Sequence, residues 1–418
     1  MKFINYTPFP GICHQTAVPG GGGADVVVLR QTFELREGQL ELAETQTPIA
    51  TTDRHYGAIG QSSLIEESDL APYKPQCDVI IAARAYAPGY RPAPRFHAAV
   101  QIFAKPSTQP PWDRAPPREL LSRRLLISGP RYFERERSWA LSEPVPIDSL
   151  PVRYEYAWGG ECRINANDSA AQRVPEAARL TPAEQAGHPD QDNPPIAHTC
   201  SEHNPLGRGY VEPWFMDAKQ PDRVAAPQIE WADAPLNVDA WTQQLSGTRL
   251  NLPPAGFGVV GRMWQPRRQL AGTYDDRWLR EMSPNLPDDF DFSYWNGANP
   301  ALQTPHLKGN EILVLTNLTA PEIPADHDAQ GNRQLCIELP GHLPMGWGYT
   351  EDALTFAPLY LDTLRIEMPP DKPLTVILAW RASIPKTQGI TRFEVRFVER
   401  EEQWRLEHGL MVAPGGRA

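Results

Sequence analysis

His198-x-Cys200-x2-His203 offers imidazole nitrogens and a thiol within six positions, with Cys162 or His188 as a conceivable fourth ligand. Zinc takes nitrogen and sulfur donors in tetrahedral array. The CxxC or HxxxH pairs of structural zinc sites are missing, however, and the stretch lies in polar sequence just ahead of a glycine-rich turn. These residues therefore read as ordinary loop side chains, and no metal or other cofactor is expected. Asp288, Asp289 and Asp291 are close enough in sequence for paired acid–base work on a glycosidic bond. Pro287 and Phe290 among them instead predict a folded turn with one aspartate set against an arginine. No GxSxG elbow or HExxH helix occurs, and no cysteine has a recognisable protease context. GRGY from Gly207 and GFGVVG from Gly256 lack both the P-loop lysine and the strand–turn–helix setting of a dinucleotide fingerprint. Their glycines read as suppliers of backbone shapes closed to other residues.

The stretch from Gly256 to Phe292 concentrates glycine, tryptophan, arginine and aspartate at spacings that fit neither a helical nor a strand period. Trp264, Tyr274 and Trp278 within it suit a structured loop system or a recognition surface. Its charges run from Arg262, Arg267 and Arg268 through Asp275, Asp276 and Arg277 to the three later aspartates. Arg–carboxylate forks are common structural ties, and Arg262, Arg267 and Asp275 could form one. The chain holds twelve tryptophans. Tryptophan and arginine anchor many protein interfaces, while β-rich domains also use tryptophan in their cores. About half are assigned to each role.

The elements that must position these residues read mainly as strands. Asp25 to Leu35 starts as a buried apolar run and ends in alternation, and Gln39 to Ala43 returns as its hairpin partner after Glu37-Gly38. Cys77 to Ala87, Phe96 to Phe103, Leu120 to Ile127 and Tyr154 to Trp158 follow. Residues 166–202 read as a polar surface insertion or mobile loop with one short helix, Thr181 to Ala186. Thr181 and Glu184 form its capping box. Strands return at Glu311 to Leu315, Gln334 to Leu339, Thr363 to Met368, Thr375 to Trp380 and Arg392 to Val398. Pro106 to Pro117 reads as a proline-rich loop, and the tail after Leu410 as frayed.

Forty-five prolines and thirty glycines favour short strands joined by long shaped loops. The expectation is a mainly β protein: a large β-sandwich-like domain with long irregular loops and few short helices. Three regions are expected within one unit: a β-rich region over 1–150, a glycine- and proline-rich middle over 151–255, and the signature with further strands over 256–400. A tail over 401–418 completes it. A net charge of −11 argues against non-specific binding to nucleic acid or anionic membranes. The sequence holds no apolar run long enough to span a bilayer and no signal-peptide pattern at its start. Five scattered cysteines without a CxxC pair fit a reducing compartment, so a cytoplasmic location is expected.

GFG-x3-R-x-W-x-PR-x3-AGTYD-x2-W followed by P-x-LP-x-DFD resembles the signature of a bacterial family formerly filed as a domain of unknown function and encoded beside type VI secretion spike (VgrG), PAAR-tip and toxin proteins. SSL-x2-ESDLAP-x-KP from Ser62, YAWGG from Tyr156, NP-x-GRGY from Asn204, KGNE from Lys308 and LDTL-x-IE from Leu361 continue the match in order. The resemblance implies a non-enzymatic cytoplasmic adaptor or chaperone that holds a toxin, a PAAR protein or both, and mounts the cargo on the VgrG spike. By match to the pattern it singles out Trp158, Asn204, Arg208, Tyr210, Arg262, Trp264, Arg267, Tyr274, Asp275 and Trp278. Whether each of these touches a client or holds the scaffold is left open by the sequence. The alternative is a carbohydrate-binding or glycoside-hydrolysing β-protein, with tryptophans stacking sugars and the aspartates acting on them.

Overall fold

The computed structural model describes residues 1–18, 22–105, 117–265, 267–370 and 372–398. The chain is mainly β, as its composition predicts. Strands Gly11–Ala17, Gly23–Arg36, Thr375–Pro385, Tyr360–Glu367, Cys77–Ala82 and Gln303–Thr304 lie side by side in that order, and Gln39–Leu42 also pairs with Gly23–Arg36. This main sheet is antiparallel except where Tyr360–Glu367 runs parallel to Cys77–Ala82. A second sheet orders Ile229–Trp231, Glu119–Ser128, Arg95–Phe103, Ile312–Thr316, Arg333–Glu338 and Asp326–His327. A third joins Lys2–Asn5, Arg392–Val398, Leu343–Tyr349 and Leu354–Pro358.

Apolar alternation explains how the first two sheets meet. Val27, Leu29, Ile81, Leu364 and Leu378 of the main sheet share one core with Val100, Ile102, Leu125, Leu313 and Ile337 of the second. Each such aliphatic side chain contributes about 1.5–3 kcal/mol on burial. The central strand Gly23–Arg36 is buried from Ala24 through Phe33, which accounts for its unbroken apolar start.

The main sheet also carries a buried polar layer. Arg30 pairs with Glu66 at 2.7 Å and with Asp69 at 3.0 Å. Arg365 also reaches Glu66 and lies 3.2 Å from Glu367. Arg381 contacts Asp362 at 2.5 Å and donates to the carbonyls of Asp69 and Ala71. Lys74 and Asp78 close the layer at 2.8 Å. These ties fix the segment Ser62 to Asp78 against strands that are distant in sequence.

Between the sheets' sequences, the middle region builds smaller cores. Trp241 of helix Val238–Leu245 is fully buried, stacks on Phe133 at 3.9 Å, and donates its indole N–H to Gly209 O. Helix Pro182–Ala186 carries the expected capping box from Thr181 and Glu184.

Two strand expectations change. Tyr154–Tyr156 is a tight helical turn, not a strand: the N–H groups of Tyr156 and Ala157 fold back on Arg153 and Tyr154 carbonyls. Tyr154 points inward beneath Gly256 and donates its hydroxyl to Gly258 O. Cys77 to Ala87 is broken at Ala83 into two strands. The insertion over 166–202 is not loop throughout, because Pro195–Cys200 is a strand paired antiparallel with Glu161–Asn165. Pro195 and Ala197 of that strand are buried, so the polar run ahead of it hid a packed element. The expected proline-rich loop, apart from Pro117, and the tail after Leu410 lie outside the described residues.

Candidate interaction surface

The motif residues separate into ties and exposed groups. Asn204 is fully buried and donates to the carbonyls of Tyr154 and Trp158, at 2.9 and 2.7 Å. Its own carbonyl accepts the N–H of Gly160. Trp158 is buried in the core that holds Phe133 and Trp241. Gly159, at φ 141°, permits the close approach: a Cβ there would lie 1.9 Å from Asn204 O. Arg208 donates to Glu155 O and Gln228, with its guanidinium over the Tyr156 ring. Tyr210 is hydrogen-bonded to Glu212, and burial together with that carboxylate pushes its phenol well above the usual range. YAWGG and NP-x-GRGY thus form one buried junction.

The arginines of the long signature are likewise anchored. Arg267 is 1% exposed and forks onto Glu67 at 2.7 and 3.1 Å, donating also to Val260 O and Tyr294 O. Arg262 shares Glu67 and reaches Asp53, both at 3.4 Å. The expected tie to Asp275 does not form. Asp275 instead caps the next turn by accepting the Trp278 N–H at 2.8 Å, because it lies at the start of that turn, where free N–H groups need an acceptor. Trp264 is buried edge-on against Tyr154 at 5.5 Å. In KGNE, the N–H groups of Lys308, Gly309 and Asn310 converge on the Glu311 carboxylate.

Around the signature segment a run of aromatic contacts leads from the interior to solvent, beside the exposed aliphatic side chains Met263 and Leu279. Tyr360 lies 5.1 Å from His306, which lies 6.5 Å from Tyr73, and Tyr73 meets Phe292 edge-on at 5.7 Å. Phe292 contacts Phe290, and Phe290 contacts Tyr294 and Trp295. The paired arginines sit behind this end, Arg267 over Tyr294 and Arg262 over Trp295. Tyr274 packs on Trp278 at 4.7 Å, and its phenol is raised by partial burial and by nearby Tyr294. Tyr360, Tyr73 and Tyr274 remain 49, 39 and 51% exposed. The stripe thus joins the signature segment to the start of strand Tyr360–Glu367.

Tyr274 and Trp278 belong to the motif set; Tyr73, Phe292, His306 and Tyr360 were missed. A signal was available, since Tyr73 lies inside the motif from Ser62 and Tyr360 directly precedes LDTL. The aspartates are held by local partners. Asp289 accepts from the Thr273 N–H and hydroxyl, which hold its carboxyl below the usual range. Asp291 caps Ser293 N, and Asp288 lies 3.7 Å from Arg277.

A mainly β scaffold whose motifs converge on buried ties, with an aromatic stripe outside, defines the class. The chain belongs to the family described as an uncharacterized protein conserved in bacteria (DUF2169), which matches residues 23–381. Comparisons with curated proteins and with solved structures gave no match. Among the described residues no helix is long and apolar enough to cross a membrane.

Proposed function

We propose that this protein is a non-enzymatic cytoplasmic adaptor or chaperone that binds a type VI secretion toxin, a PAAR protein or both, and loads the cargo onto the VgrG spike. The aromatic stripe from Tyr360 through Tyr73 to Phe292 and Tyr294, with Tyr274 and Trp278 beside it, is the observation that carries this reading. Rigid aromatic side chains bury large area at low entropic cost and dominate protein interfaces. Burial of an apolar client surface on the stripe stabilises the bound client by mass action. The resemblance of the signature supplies the partner class.

A carbohydrate-binding protein is the second reading, because exposed tyrosines also stack on sugars. Its hydrolytic form finds less support: Asp289 and Asp291 are committed to Thr273 and Ser293. Affinity purification of the tagged chain from its native host, with mass spectrometry, tests both. Near-stoichiometric recovery of a toxin, PAAR or spike protein supports the adaptor reading. Absence of all three, together with binding on a glycan array, overturns it.

A further inference from the structure

Glu161, His198 and Cys200 were not expected to act together, yet the hairpin sets them on one face. Glu161 lies directly across from Cys200 in the register, and His198 is two residues before Cys200 on the same strand. Side chains two apart on a strand, and those directly opposed across a pair, share a face. The consequence is a convergence on one nitrogen. His198 Nε2 is 2.9 Å from Glu161 Oε2 and 3.4 Å from Cys200 Sγ, and all three donor atoms lie within 4.8 Å of one another.

That geometry decides between two chemistries. A thiol–imidazole–carboxylate nucleophile needs its sulfur and its orienting carboxylate on opposite ring nitrogens. Here both face the same one. Donor atoms gathered round one point suit a cation. Around a tetrahedral zinc, with bonds of about 2.0–2.3 Å, neighbouring donors lie roughly 3.3–3.8 Å apart. The sulfur–nitrogen separation already fits, and the carboxylate must withdraw by a few tenths of an ångström.

The other face of His198 is also built. Asp190 N–H donates to His188 Nδ1 at 3.0 Å, so the His188 ring proton lies on Nε2, 3.0 Å from His198 Nδ1. Arg163 pins this loop through Asp190 at 2.5 Å and the Asn193 carbonyl at 2.7 Å. A metal-ligating imidazole generally donates its second N–H to such a partner, so His188 Nε2 must become the acceptor when His198 binds metal. His203, by contrast, lines a neighbouring cavity of about 280 Å³ together with Cys200, Tyr210 and Glu212 and is not part of the trio.

We propose that Glu161, His198 and Cys200 form a binding site for one zinc-type divalent cation, with His188 as positioning residue and the fourth coordination position open to water or to a group of a bound partner. On binding, His198 Nε2 donates its lone pair to the metal and its ring proton moves to Nδ1, facing His188 Nε2. The His188 proton moves to its own Nδ1, giving up the Asp190 N–H. Cys200 binds as thiolate and gives up its thiol proton.

Cobalt(II) titration of the purified full-length chain tests this, because thiolate ligation gives a near-ultraviolet charge-transfer band. The expected result is one equivalent bound with that band. The band is expected to vanish in Cys200→Ser, persist in Cys336→Ser and His203→Ala, and require about 10–100-fold more metal in His188→Ala. Absence of the band in the parent chain, or its persistence in Cys200→Ser, overturns the site. Should Cys200→Ser fail to fold, alkylation of the parent chain decides. Zinc is expected to protect Cys200 and leave exposed Cys336 reactive, and equal Cys200 alkylation with and without zinc sinks the proposal.

Discussion

Arg267 and Glu67, 200 positions apart, form a two-pronged ion pair at 2.7 and 3.1 Å. It joins two of the chain's motifs, the segment from Ser62 and the long signature, and holds the base of the aromatic stripe through the Tyr294 carbonyl.

Arg267→Ala leaves Glu67 without its best partner and uncovers the carbonyls of Val260 and Tyr294. A loss of about 3–5 kcal/mol is expected, as for other buried pairs broken on one side. Arg267→Lys should recover only a small part, since an ammonium cannot fork. Urea midpoints of the parent and the two variants check this, and a loss below about 1 kcal/mol in Arg267→Ala would contradict a structural tie.

Gly159→Ala should be among the most damaging single substitutions. Its Cβ would lie 1.9 Å from Asn204 O, at a φ of 141° that side chains rarely adopt. Relief requires moving Asn204 and breaking its bonds to Tyr154 and Trp158. A loss above about 3 kcal/mol, or insoluble protein, is expected. Normal thermal stability would show that the junction yields easily.

Tyr73→Ala and Tyr360→Ala remove exposed rings and should change stability by less than about 1 kcal/mol. Under the adaptor reading each weakens client binding at least about tenfold, as interface anchors do. Titration calorimetry with the recovered partner measures this. Unchanged affinity in the double variant would move the interface off the stripe.

Asp289 gives the signature segment an acid limit. Hydrogen bonds from Thr273 hold its carboxyl below the ordinary value, so their contribution is present above about pH 3.9 and fades as pH falls through the lower folded value. Tryptophan fluorescence of the adjoining Tyr274–Trp278 pair should report the loosening on acidification. Asp289→Asn keeps an acceptor for Thr273 but cannot titrate, so the same transition should be absent. A transition that persists unchanged in that variant would assign it to another group.

Strands with apolar runs or alternation were legible: Asp25 to Leu35 and Arg392 to Val398 appear within one or two residues of their expected bounds. Leu343–Tyr349 was missed because Gly346 and Gly348 look like strand breakers. Each instead makes room for a bulky neighbour, since a Cβ on Gly346 would meet the Phe393 ring at 2.3 Å and one on Gly348 would meet Ile390 at 2.5 Å. The motif residues were legible as a set, but their roles were not. Nothing local says that Arg267 selects Glu67 over Asp275, because that choice depends on how two distant segments fold together. The Glu161–His198–Cys200 grouping was hidden for the same reason: only strand register places Glu161 opposite Cys200.

The main sheet has a consequence for synthesis. Gln31 and Trp380 are hydrogen-bonded neighbours although 349 positions separate them. At about 5–20 residues per second, roughly 20–70 s pass between translation of Gln31 and of Trp380. Throughout that interval the apolar edge of Gly23–Arg36 lacks the neighbour that covers it in the finished fold. Until Thr375–Pro385 is made, that edge is a template on which another copy of the chain could pair.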